Sequence, residues 1–251
     1  MIKVAVCGIG GKMGANIVSL IEGDENAEIV CGVDLITPEN CKVPVYSSFK
    51  NIDEKVDVII DFSSPAVLKG ELEWAKAHNA AVVLASTGYS KDDLKLIDEC
   101  AKEVAIFKTA NFSLGVNLLV KLVKEAAKVL GDKFDIEIIE KHHSQKVDAP
   151  SGTALMLADS ANSAFENEKK YLNGRDGIVG KRGNEIGIHA VRGGTIVGEH
   201  DVMFAGEDEI ITLSHSARSK KVFAAGAIKA AKWVAGKPAG KYDMTDVLQN
   251  L

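Results

Sequence analysis

The stretch up to Asp34 constrains the fold more than any other part of the chain. Ile2–Cys7 is a short apolar run rich in β-branched residues, and it stops at Gly8-Ile9-Gly10-Gly11-Lys12-Met13-Gly14, after which residues 15–21 carry a helical pattern. A second apolar run, residues 28–33, ends on Asp34, twenty residues beyond Gly14. Strand, glycine turn, helix, strand and terminal acid, in that order, form the layout of a βαβ dinucleotide-binding unit. The glycines let the backbone approach a pyrophosphate at the helix N-terminus, and the acid accepts from ribose hydroxyls. The glycines run Gly8-x-x-Gly11-x-x-Gly14 with Gly10 extra, so the third glycine of the usual G-x-G-x-x-G falls on Met13. The plain alternative is a turn that only packs a helix against a sheet. The flanking strands and the spaced Asp34 favour the nucleotide.

The alternation continues beyond this unit. Residues 56–60 read as a strand ending at Asp61-Phe62-Ser63-Ser64-Pro65, and residues 66–78 as a helix entered at a proline. Residues 81–85 form a strand ending in Ser86-Thr87-Gly88, Ser90 with Asp93 resembles a capping pair for a helix over 91–101, and residues 104–107 lead into Thr109-Ala110-Asn111-Phe112-Ser113. Strands separated by helices imply a parallel sheet, and such sheets bind ligands beyond the carboxyl ends of their strands. The polar clusters at 61–65, 86–88 and 109–113 all follow strand ends, which favours one shared site.

From Leu114 the texture changes. Leucines and valines recur at helical spacing up to Leu130, where Gly131 ends the helix; that stripe reads as core. Residues 134–139 read as a strand, 153–165 as a helix, and the polar, glycine-bearing stretch 167–184 as a mobile loop. Residues 186–192, 195–204 and 210–216 read as successive strands with tight turns at Gly193-Gly194 and Gly206-Glu207-Asp208, giving an antiparallel or mixed sheet. Residues 222–234 read as a helix and 242–248 as a short tail. The fold class is therefore α/β, with a parallel-sheet cofactor domain and an α+β substrate domain built on an open mixed sheet.

Between the strand at 134–139 and the following helix lies Glu140-Lys141-His142-His143-Ser144-Gln145-Lys146-Val147-Asp148-Ala149-Pro150-Ser151-Gly152-Thr153-Ala154. Histidine exchanges a proton near neutrality, lysine brings a compact positive charge, and Gly-Thr opening a helix leaves N–H groups free to hold an oxyanion. Taken alone, two neighbouring histidines in a loop are as a rule solvent-facing. Composition sets the outer limits. With 251 residues, 46% of them hydrophobic, the chain can bury a substantial core, and its net charge of −5 argues against nucleic-acid or anionic-membrane surfaces. No apolar run reaches membrane-spanning length, and the N-terminus enters a strand directly without a signal-peptide layout, so a cytoplasmic protein is expected. The cysteines Cys7, Cys31, Cys41 and Cys100 form no C-x-x-C pair or cluster, so neither a disulfide frame nor a metal site is indicated; Cys7 and Cys31 are expected to be buried and inert.

Taken together, the residues resemble the dihydrodipicolinate reductase family. The resemblance rests on Gly8-x-Gly10-Gly11-x-Met13-Gly14, Asp61-Phe62-Ser63, Thr87-Gly88, Ala110-Asn111-Phe112-Ser113-x-Gly115-Val116-Asn117, the block from Glu137 through His142-His143-x-x-Lys146-x-Asp148 to Ala154, Arg192-x-Gly194-x-Ile196-Val197-Gly198-Glu199-His200, and Asp243-Met244-x-Asp246-Val247-Leu248. These motifs span nearly the whole chain in order, and the block around His142 is the most specific. The resemblance implies a Rossmann-like cofactor domain over 1–112 and 217–251, a substrate and oligomerisation domain over 113–216, and a homotetramer. It implies that Gly8, Ile9, Gly10, Gly11, Lys12, Met13, Asp34, Ala85, Ser86, Thr87, Thr109, Ala110, Asn111 and Phe112 line a nicotinamide cofactor. It implies His142 as proton donor with Lys146 as catalytic partner, and His143, Ser151, Gly152 and Thr153 as contacts of a small dicarboxylate, with no metal. Where family members that use both cofactors carry an arginine after the acid, this chain has Leu35, and where they have glycine it has Ala85. Asp34 repels a 2′-phosphate and no arginine compensates, so NADH is expected to be preferred, with NADPH possible through Lys12. Hinges are expected near Ser113 and residues 216–220. Another NAD-dependent dehydrogenase of an amino or sugar acid, or a non-catalytic dinucleotide sensor, stays open as an alternative.

Overall fold

A computed structural model of the chain describes residues 1–39 and 41–249. In chain order its strands and helices begin with β1 (Ile2–Cys7), α1 (Lys12–Ile21), β2 (Ala27–Val33), β3 (Val45–Tyr46), β4 (Val58–Asp61), α2 (Leu68–His78), β5 (Ala81–Leu84), α3 (Lys91–Cys100) and β6 (Ala105–Lys108). There follow α4 (Leu114–Leu130), β7 (Asp135–His142), α5 (Gly152–Asn162), β8 (Lys170–Asn173), β9 (Glu185–Arg192), β10 (Gly198–Ala205) and β11 (Ile210–Ala217). The chain closes with α6 (Lys221–Val234), β12 (Gly240–Tyr242) and α7 (Met244–Gln249). Two compact units result: Met1–Phe112 with the described residues after 220, and Ser113–Lys220.

In the first unit β1 to β6 and β12 form a parallel sheet in the order β12-β6-β5-β4-β1-β2-β3. These strands are near-continuous apolar runs because both faces are covered. On one face Ala5, Ile59, Val82 and Ile106 pack with Leu68, Leu72 and Ile97 of α2 and α3. On the other, α6 lies across β4 to β6 and packs against α1. The predicted capping box at Ser90 and Asp93 is formed at the start of α3. Cys7 and Cys31 are buried, and burial raises both thiols, Cys31 to about 12. The expected tail does more than trail, since β12 adds the edge strand beside β6 and α7 buries Met244 and Val247.

The second unit is a five-stranded mixed sheet, β11-β10-β7-β9-β8, covered on one face by α4 and α5. β7 alternates: Ile136, Ile138, Glu140 and His142 are buried, whereas Glu137, Ile139 and Lys141 face the other side. Three expectations change here. The strands around Gly193-Gly194 are not a hairpin, because β7 lies between them, parallel to β9 and antiparallel to β10. Instead the turn carries the chain across the end of β7, with the Gly193 N–H donating to His142 O. Only Gly206-Glu207-Asp208 closes a hairpin, between β10 and β11. The expected loop at 167–184 contains β8, parallel to β9, and is tied down by Arg175 and Arg182, which both reach Glu137. Burial would raise the Glu137 carboxyl, but hydrogen bonds from Arg175, His189 and Arg182 bring it down to about 2. Residues 217–220, expected with the first domain, group with the second, because Ala217 still pairs with Gly198 at the end of β11. Residues 250 and 251 of the expected domain lie outside the described residues.

Candidate functional site

The first unit builds a nucleotide cradle from its glycine turn. Gly8 follows β1 with φ of +79°, and a Cβ there would lie 2.9 Å from Phe62 O, so a side chain fits neither the conformation nor the space. A Cβ on Gly14 would lie 2.3 Å from Gly8 O, which shows how closely α1 seats on the turn. Gly11 caps α1 without a side-chain bond, and no acid stands in the first turn. The first-turn amides therefore face outward with the positive end of the helix behind them. Lys12 is exposed beside them. Asp34 reaches back over the turn, accepting from Gly10 N–H at 2.9 Å and from Ile36 N–H at 3.1 Å. The acid expected to meet a ribose thus also ties the end of β2 to the turn.

The remaining expected contacts sit at the ends of β5 and β6. Ser86 Oγ donates to Asp61 at 2.9 Å, linking the ends of β5 and β4. Asp61 is wholly buried and also accepts from Ser63 N–H and its hydroxyl. Ala85 is half-buried and Thr87 exposed, while Thr109 donates to Asn111 O at 3.2 Å. Phe112 is buried, with its ring 5.9 Å from Phe62 and 6.1 Å from Phe107. Sheet order reverses at β1, where β2 and β4 lie on either side. The crevice at such a switch point is where α/β sheets take nucleotides. The residues present therefore fit a dinucleotide: glycines where a Cβ would collide, a helix N-terminus without acids, and a carboxylate beyond β2.

In the second unit His142 is the last residue of β7 and not a loop residue, which puts its ring on the buried face two places after Glu140. Glu140 has no exposed surface. Its Oε2 lies 2.6 Å from His142 Nδ1, its Oε1 accepts from Ser151 N–H at 2.9 Å, and Arg192 closes on both oxygens at 2.7 and 2.8 Å. Burial on its own would raise this carboxyl, but Arg192, His142 and the Ser151 amide hold it below the usual range. Ser151 caps α5 by accepting from Ala154 N–H, and its hydroxyl is 3.1 Å from His200 Nε2. The His200 ring stands edge-on to His142 at 5.2 Å, and burial pushes it down to about 4, so it is neutral at pH 7.

The other expected residues lie close by along the chain. The Lys146 ammonium is held by both oxygens of Asp148 at 2.7 and 2.8 Å, and Arg192 also donates to Asp148 O at 2.6 Å. Asp148 thus joins Lys146 to the guanidinium that grips Glu140. His143 is half-buried and its carbonyl accepts from Lys146 N–H. Gly152 and Thr153 form the first turn of α5, with open space at Gly152. Sequence reasoning missed Glu140, Arg192, Gly198 and His200 as parts of this cluster. Glu140 had a signal, since a residue two before a strand histidine shares its face. Arg192, Gly198 and His200 stood in one of the motifs that carry the resemblance, but only the register places Arg192 opposite His142.

Among the described residues no group of three or more His, Cys, Asp or Glu could hold a metal ion, and no helix is long and apolar enough to cross a membrane. The family profile described as "Dihydrodipicolinate reductase, N-terminus" matches residues 2–112, and that described as "Dihydrodipicolinate reductase, C-terminus" matches residues 115–248. The 4-hydroxy-tetrahydrodipicolinate reductase of Caldanaerobacter subterraneus subsp. tengcongensis is 50% identical over 250 residues, covering 99% of each chain. That of Clostridium novyi is 47% identical over 250 residues, covering 100% of this chain and 99% of its own. The dipicolinate-bound dihydrodipicolinate reductase of Paenisporosarcina sp. TG-14 superposes with a TM-score of 0.81 at 27% identity, covering 97% of both chains.

Proposed function

We infer that this chain, which belongs to the dihydrodipicolinate reductase family, catalyses the NAD(P)H-dependent reduction of 4-hydroxy-tetrahydrodipicolinate to tetrahydrodipicolinate in lysine and diaminopimelate biosynthesis. The observation that carries the reading is the pairing of a glycine-turn cradle with a buried, carboxylate-bound histidine beside a serine-capped helix N-terminus. A sensor would need only the cradle.

The ring, once its hydroxyl has left as water, takes one hydride and one proton. A reduced nicotinamide, when bound, supplies the hydride. Gly8 to Met13 and Asp34 would hold the diphosphate and ribose, and residues 85–87 and 109–112 would border the nicotinamide. Hydride addition leaves a carbanion conjugated with the ring nitrogen, and His142 Nε2 is the atom proposed to protonate it. Lys146 stabilises the developing charge. The N–H groups of Gly152 and Thr153 at the start of α5, with Ser151 and His143, hold the carboxylates. A positioned general acid is worth roughly 10²–10⁴ in rate, or about 3–5 kcal/mol. In an assay of NAD(P)H oxidation with freshly made dihydrodipicolinate synthase product, H142A and K146A should each lose turnover on that scale while dinucleotide affinity barely moves. Near-full turnover in either variant removes that residue from the chemistry.

NADH is the preferred cofactor. Asp34 is anchored over the turn, and the next two residues are the exposed, uncharged Leu35 and Ile36, so nothing at that position offsets repulsion of a 2′-phosphate. A higher kcat/KM for NADH than for NADPH is expected, with Leu35→Arg narrowing the gap; equal values for the native chain would end the preference. The enzyme is proposed to work in the cytoplasm as a homotetramer, which sedimentation would test.

A further inference from the structure

Glu140 sits beneath the proposed proton donor, and its bonding leaves little freedom in what it does. Arg192 grips both of its oxygens, and the Ser151 amide takes one of them. The carboxylate is therefore charged and accepts only. His142 Nδ1, 2.6 Å from Glu140 Oε2, must then carry the hydrogen of that contact. This leaves Nε2 as the nitrogen that exchanges protons with a ligand. The same edge of the ring is kept clear by Gly198, where a Cβ would stand 3.0 Å from Nε2.

We propose that Glu140, fixed by Arg192, is the positioning residue that sets the ring orientation and tautomer of His142 and so aims its Nε2 as the proton donor. The role rests on the reductase reading and deepens it. Neither residue needs to touch the substrate: Glu140 is fully buried, and Arg192 spends its fork on Glu140 and the Asp148 carbonyl. A ring bound on one nitrogen by a fixed anion keeps one orientation through the cycle, whereas a free ring would rotate and present either nitrogen. Ser151 links the device to the helix that is proposed to hold the carboxylates, since one residue bonds Glu140 through its amide and caps α5 through its hydroxyl.

The test uses the full-length enzyme and compares Glu140→Gln and Arg192→Lys with wild type. E140Q should lower kcat by about 30- to 300-fold while KM for the dicarboxylate and for the reduced dinucleotide stays within threefold. R192K should fall between it and wild type. The solvent deuterium isotope effect on kcat should rise in both variants and the effect of deuterated dinucleotide should shrink, because the proton step becomes slower than the hydride step. A change that only loosened the fold would slow both steps and leave this balance unmoved. The proposal is overturned if folded E140Q turns over within threefold of wild type, if its loss lies in KM, or if the isotope effects keep their wild-type values. Should E140Q fail to fold, R192K decides by the same isotope criteria. Wild-type enzyme that does not reduce the ring at all would remove the reductase reading itself, a different result from active wild type with unaffected variants.

Discussion

At the scale of single residues the second unit concentrates its chemistry on one line of side chains: Arg192, Glu140, His142 and His200. Arg192 donates to Glu140, Glu140 meets His142 Nδ1, and His200 Nε2 meets the Ser151 hydroxyl, while Arg192 Nε and His200 Nδ1 are buried without a partner among the described residues. The sequence displayed His142 and Lys146, since a histidine pair and a lysine in a short stretch are visible by type alone. It did not display Glu140 as a partner of the ring, although the spacing was legible once the stretch ran as a strand through His142. Gly198 gives a test at this scale. Gly198→Ala places a methyl about where the Nε2 edge of His142 must stay open. Its backbone is that of an ordinary strand, so the fold should survive while kcat drops roughly 10- to 100-fold, within the range typical of a general acid's contribution. Unchanged turnover would show that the ring can shift without consequence.

At the scale of elements, the turn from β1 into α1 is tightly specified. Gly14 has no room for a methyl, which would meet Gly8 O and Ile9 at 2.3 and 2.6 Å. Gly14→Ala must therefore push α1 off the turn. Overpacking of this kind costs about 1–3 kcal/mol. The larger effect should be on the cradle: dinucleotide affinity, measured by calorimetric titration, is expected to fall more than tenfold, and an affinity equal to wild type would mean the close seating is dispensable. The glycine spacing carried this element in the sequence, because only glycine suits those positions. The strands of the second unit were less legible. Short apolar runs fix that strands exist, but not which run lies beside which, and β7 entering between β9 and β10 is a pairing between distant segments.

At the scale of the whole molecule the two units differ in their response to acid. His200 is neutral and buried, with burial depressing it from the ordinary 6.5 to about 4, and burial also lowers His215. Both lie in the second unit. A histidine depressed in the folded state leaves stability intact above pH 6.5 and removes it as pH falls toward 4, because the unfolded chain takes up the proton first. For His200 that loss amounts to roughly 3 kcal/mol at one pH unit per 1.36 kcal/mol. Glu137 adds its own loss only from 4.5 down to about 2. Both tryptophans, Trp74 and Trp233, belong to the first unit. Acid titration between pH 6.5 and 4 should therefore change far-ultraviolet circular dichroism before it changes tryptophan emission. Simultaneous transitions would contradict this assignment.

The sequence by itself determined the parallel first sheet and its glycine turn, because periodicity and glycine spacing are properties of residue type and order, and it displayed the histidine pair whose role is proposed above. Tertiary structure alone decided the rest. Strand register brings Arg192 opposite His142, and the folded chain turns Asp34 back onto Gly10 and sets the Asp148 carbonyl against Arg192. These contacts join residues far apart in the chain, and no local pattern encodes a partner that only a sheet can deliver.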